Sequence, residues 1–114
     1  MGSLAPPELG AAVSEAGSLG VLGTARGGLS PATLSAMLDR LHGLTSKPFG
    51  DNFMVSPLHI QGEPNRPLLD LHCIEIAGRS ARAAEFSYGE PDSRLVEMVY
   101  AGSALTAWQV GSQA

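Results

Sequence analysis

Apolar positions in this chain alternate between stretches of helical period and short unbroken runs. Pro6 and Pro7 suit the first turn of a helix, where a missing N–H costs nothing. Leu9, Ala12, Val13 and Ala16 follow at helical spacing as one apolar face, and Gly17 serves as the C-terminal stop. Leu19-Gly20-Val21-Leu22-Gly23 is then an apolar run of strand length without polar alternation, the pattern of a strand covered on both faces. A glycine-bearing loop spans Thr24 to Leu29, and Ser30-Pro31 opens a second helix as cap and first-turn proline. Leu34, Met37, Leu38, Leu41 and Leu44 line that helix on one side, with Asp39, Arg40 and His42 on others.

Lys47 to Phe53 predicts the next strand, and Ser56 to Pro67, with Pro57, Gly62, Pro64 and Pro67, predicts a loop. Leu68 to Ala77 fits two patterns: Pro67 can open a helix, while Ile74 and Ile76 alternate as in a strand. We assign it to a helix. Arg79 to Tyr88 stands where the following strand belongs, although Arg82 and Glu85 are poor residues for a buried one. Asp92 or Ser93 caps a last helix with Leu95, Val96 and Val99 inward and Gly102 at its end. Ala104 to Val110 then forms the last strand. Helix and strand alternating at this spacing are the rhythm of parallel βα units, an α/β fold.

Composition narrows this picture. A length of 114 residues fits one domain over 1–114, and the net charge of −4 lacks the basic face that nucleic-acid binding needs. No apolar run reaches the roughly 18 residues of a membrane span, and the N-terminus carries no secretory pattern. One cysteine, Cys73, excludes an internal disulfide and points to a reducing, cytoplasmic setting. His42, His59 and His72 show no metal-ligand spacing, so no metal site is expected. The chain has no nucleophile elbow or phosphate-binding loop. Its glycines around Ser18 lie before and inside a strand, where they cap a helix and allow close packing.

The residue with candidate chemistry is Asn52. It closes the Lys47–Phe53 strand just before the proline-rich loop, and ligands sit at the C-terminal ends of parallel strands. A neutral amide there can both donate to and accept from a flat heterocycle.

Several stretches together resemble one family. The run Pro7-Glu8-Leu9 with Ala11 to Gly23, the Ser30-Pro31 helix start, and Thr45-Ser46-Lys47-Pro48-Phe49-Gly50-Asp51-Asn52 follow one another as in nitronate monooxygenases, also called 2-nitropropane dioxygenases. Phe86-Ser87-Tyr88-Gly89 and Trp108-Gln109-Val110-Gly111-Ser112 resemble that family's fourth and fifth strand ends. The resemblance implies a partial (β/α)8 TIM barrel of about four parallel βα units, with the first strand preceding Met1. It also implies an FMN cofactor and oxidation of alkyl nitronates to a carbonyl compound and nitrite. The related alternative is a flavin-dependent enoyl-acyl-carrier-protein reductase; a non-catalytic half barrel is the other. By the same resemblance Met1, Gly2 and Ser3 run beside the flavin, and Asn52 hydrogen-bonds its ring or ribityl chain. Gln109 is a further polar contact.

Three departures qualify the match. The first strand is absent, and the chain stops at Ala114, before the family's His-Arg-Gly segment, so no catalytic residue is assigned. Asp51, Arg82 and Glu85 stand where the family is usually apolar. A barrel takes about 250 residues, so this chain is at most half of one. The expectation is self-association through its open sheet edges.

Overall fold

The structure, a computed structural model, describes residues 6–24, 29–54, 70–87 and 92–111. They form four helix–strand pairs: α1 (Pro7–Glu15), β1 (Gly20–Gly23), α2 (Pro31–Leu44), β2 (Phe49–Met54), α3 (Leu71–Ser80), β3 (Ala83–Ser87), α4 (Ser93–Ala101) and β4 (Leu105–Trp108). The strands make one parallel sheet in the order β1-β2-β3-β4, and each helix packs beside the next over one side of it. The arrangement is α/β, the consecutive βα units of a partial TIM barrel.

Strand register divides the sheet into two faces. Leu22, Phe49, Asp51, Phe53, Ala84 and Phe86 point to the helices and are buried against Leu34, Leu38, Leu41, Cys73, Ile74, Leu95 and Val99. Val21, Gly23, Asn52, Met54, Glu85, Ser87 and Ala107 alternate with them on the other side, called here the open face. Three aromatic rings run across the helix face. Phe53 stacks on Phe86 at 5.9 Å between centroids, and Phe86 stacks on Trp108 at 4.5 Å.

Caps fix the starts of α2, α3 and α4, as expected for α2 and α4. The Ser30 hydroxyl accepts from the Thr33 N–H at 3.1 Å, and Asp70 and Asp92 cap α3 and α4 by accepting from His72 and Arg94. Leu71–Ser80 is helical, so the Leu68–Ala77 stretch resolves as helix, shifted toward the C-terminus. The expected strand from Arg79 therefore starts later, at Ala83. The expected loop at Ser56–Pro67 lies outside the described residues, as do residues 25–28 of the first loop.

The first helix corrects its expected face. Leu9 is 49% exposed and Ala12 and Ala16 are also exposed, while Pro7, Gly10, Ala11 and Ser14 are buried. Small size, not hydrophobicity, selects that side. A Cβ on Gly20 would overlap the Gly10 carbonyl, so backbone meets backbone where α1 crosses β1. Ser14 completes the contact, accepting from the Gly20 N–H at 2.9 Å and donating to the Pro48 carbonyl at 2.8 Å. Gly17, at φ +99°, is the left-handed stop that lets the chain turn into β1. Leu44, at the end of α2, is likewise exposed and not part of that helix's buried side.

Arg82 and Glu85 are also corrected. Arg82 precedes β3 and is exposed, whereas Glu85 is half-buried on the open face. Neither charge enters the helix-facing core. The charge that does is Asp51, fully buried in the centre of β2.

Candidate functional site

Parallel strands end their C-termini at one rim of the sheet, where an α/β fold places ligands. Across the open face below that rim, Gly23, Asn52, Glu85 and Ala107 form one row on four adjacent strands. Met54 and Ser87 pair in the next row up. Gln109 follows β4 beside them, its N–H donating to the Phe86 carbonyl at 2.9 Å.

Asn52 is therefore placed by strand parity and register. Its side chain is 5% exposed, and its backbone carbonyl is gripped by Thr24, whose N–H donates at 3.2 Å and whose hydroxyl also donates. That grip ties the end of β1 to the end of β2. Glycine and alanine at the two ends of the row keep it shallow around the Asn52 amide and the Glu85 carboxylate. Ser87 donates to the Phe53 carbonyl at 3.5 Å, closing the β2–β3 seam at the same rim.

Asn52 and Gln109 stand on the same face but are not in contact range. Two strand spacings, about 10 Å, and one row, about 7 Å, lie between them. They could contact two parts of one extended molecule, not one atom. Gln109 is exposed. Met1, Gly2 and Ser3 lie outside the described residues.

The residue that sequence reasoning did not count toward the site is Glu85. The run Ala83-Ala84-Glu85-Phe86-Ser87 alternates with period two, Phe86 inward to the helices and Glu85 and Ser87 outward, so the signal was present in the strand itself.

A flavin has a flat ring with amide-like edges and a hydroxylated side chain. The open-face row offers a donor–acceptor amide and an acceptor carboxylate beside small residues, which fits the ring and the hydroxyls. It offers no cation for the phosphate. Lys47 and Arg82 sit at the opposite end of the strands, where with His42 and Phe49 they line a cleft of about 360 Å³. That cleft opens at the strand N-termini, the end that serves stability in barrels, and is not the candidate site. Among the described residues no group of three or more His, Cys, Asp or Glu is arranged to hold a metal ion, and no helix is long and apolar enough to cross a membrane.

Comparison with known proteins agrees with this layout. FabK from Thermotoga maritima superposes with a TM-score of 0.73 at 28% identity, over 98% of this chain and 32% of that one. Its M276A mutant gives 0.72 at 29% identity, over 98% and 34%. Nitroalkane oxidase from Streptomyces ansochromogenes gives 0.74 at 25% identity, over 94% and 37%. The chain thus spans about a third of the length of these structures. No curated protein matches it. The sequence pattern of nitronate monooxygenase matches residues 1–107, nearly the whole chain, and the chain belongs to the nitronate monooxygenase family.

Proposed function

We propose that this chain forms the N-terminal part of an FMN-dependent barrel enzyme that oxidises alkyl nitronates, and that it works in the cytoplasm. The observation that carries the reading is the family match over residues 1–107, with a shallow polar row at the ligand end of the sheet as its structural counterpart. FMN, when bound, would supply the electron transfer and the reaction with oxygen. The part of this chain is to hold and orient. Asn52 would donate to and accept from the ring edge or ribityl chain, and Glu85 beside it would accept from hydroxyl or N–H donors. Gln109 would meet the more distant end, and Met1, Gly2 and Ser3 would run alongside. The Thr24 grip on the Asn52 carbonyl fixes the backbone that carries that amide. No residue here is assigned as the base that removes a proton alpha to a nitro group.

Barrels commonly hold a phosphate with backbone N–H groups from the loops after the seventh and eighth strands. The 114 residues alone should accordingly bind FMN weakly or not at all, and a chain that completes the barrel should bind it. Fluorescence quenching of FMN measures both, and a completed barrel that leaves FMN unquenched sinks the reading. Nitrite release from an alkyl nitronate tests the reaction. A second reading is a FabK-like activity, the reductase alternative, favoured by the two FabK superpositions. NAD(P)H oxidation with an enoyl thioester separates it from the first.

The chain by itself should also self-associate. Leu105, on β4, and Val110, just after it, are 56% and 65% exposed, and β4 has no described partner on its outer side. Light scattering from a stable monomer at tens of micromolar (roughly) contradicts this.

A further inference from the structure

Asp51 occupies the row Leu22–Asp51–Ala84–Thr106 on the helix face of the sheet. Its exposure is 0%, and neither carboxylate oxygen has a hydrogen-bond partner among the described residues. Buried carboxylates are ordinarily held by several N–H groups or by a cation. Here the neighbouring strands offer Leu22 and Ala84, and the buried side of α2 offers Leu34, Leu38 and Leu41, none of which titrates. From α3 come Cys73 and, at its N-cap, Asp70. The Cys73 thiol is itself pushed up, first by burial and then by the negative charges of Asp70 and Asp51. Among the described residues no partner offsets a charge on Asp51, and burial alone raises its carboxyl.

We propose that Asp51 is a proton-controlled latch between β2 and α3. Neutral, it lets α3 seat on the sheet. Ionised, it drives that helix off. An unpaired buried carboxylate costs several kcal/mol more than a neutral carboxyl, and the cost is relieved when water reaches it. The helix is the side that yields. β2 is hydrogen-bonded to a strand on each side, whereas α3, apart from its short C-terminal link into β3, packs through side chains such as Cys73, Ile74 and Ala77. Asn52 is the next residue on the opposite face, so the latch lies directly behind the candidate site. It does not depend on the flavin reading.

Burial pushes the Asp51 carboxyl from its ordinary 3.8 up to about 7. The folded state therefore keeps a proton that the opened state has already released between these values. Stability of the closed form falls as pH rises through that window and stops falling once the folded carboxyl ionises.

The test is amide hydrogen exchange of the 114-residue chain at about pH 5.5 and 8.5, corrected for the intrinsic base-catalysed increase. Exchange in α3 should accelerate roughly thirtyfold relative to α2, from the two carboxyl values just given. Asp51→Asn, which keeps the shape and cannot ionise, should abolish the difference. Asp51→Leu serves the same comparison should the amide variant fold poorly, and Trp108 fluorescence reports that each starting state is folded. Equal acceleration in α2 and α3, or an unchanged α3 response in the Asp51 variants, overturns the proposal.

Discussion

Asp51 and Glu85 sit on adjacent strands, one residue out of register, and face opposite sides of the same sheet. Asp51 turns to the helices, where the core excludes water and no donor waits for it. Glu85 turns to the open face, partly buried between Asn52 and Ala107. The same functional group is thus a destabilising element on one face and a candidate ligand contact on the other. Strand parity, more than the residue's own chemistry, decides which, because it sets whether water can solvate the charge.

The comparison can be broken most severely by emptying the helix face. Phe86→Ala removes the middle ring of the Phe53–Phe86–Trp108 stack, fully buried, and should cost about 3–5 kcal/mol. Urea unfolding followed by Trp108 fluorescence reads the loss at the point of damage. A cost below about 1 kcal/mol would mean that the aromatic row is not packed as described.

Filling the same face with an apolar side chain should act in the opposite direction. With the folded carboxyl raised to about 7, ionisation has removed roughly 4 kcal/mol of stability by pH 8, an upper figure because α3 can yield. Asp51→Leu should recover about 2–4 kcal/mol there and much less near pH 4, where the folded state keeps the proton and the unfolded carboxyl has only partly lost it. Urea midpoints at the two pH values check the sign, and equal gains at both would show that packing rather than charge is responsible.

The open face is sharpened by Asn52→Ala. In a completed barrel this change should weaken FMN binding by about 1–2 kcal/mol, the size of one buried hydrogen-bonding group, with little effect on folding. Fluorescence titration separates the two, and an unchanged affinity removes Asn52 from the site.

The smallest effect belongs to the charges once suspected of spoiling the third strand. Replacing both Arg82 and Glu85 with Val should change stability by less than about 0.5 kcal/mol, as Arg82 is exposed and Glu85 is only partly buried, outside the helix-facing core. A gain of about 1–3 kcal/mol in the urea midpoint would place them in a dry environment after all.

Much of this was legible along the chain. Ser30-Pro31 marked the start of α2, Gly17 marked the end of α1, and the alternation of apolar runs gave four βα units in the right order. These are local signals: a cap satisfies nearby N–H groups, and a helix period is complete within two turns. The position of Asn52 at a strand end was equally local. Two of the faults differ in cause. The side of α1 that packs depends on partners outside the helix, Gly20 and Pro48, whereas the face of Glu85 was present in the period-two alternation of its own strand.

By itself, then, the sequence determined the order of elements, the caps of α2 and α4, and the family. Each is written in neighbouring residues or in a run of them. Only the tertiary structure decided that Ser14 is a buried clasp between α1 and the start of β2, and that Leu9 is left in water. It alone decided that Asp51 is sealed on the helix face of the sheet while Asn52 is held, also buried, on the other. Burial and pairing arise from contacts between segments far apart in the chain, and the free energy of a charge is set by those contacts.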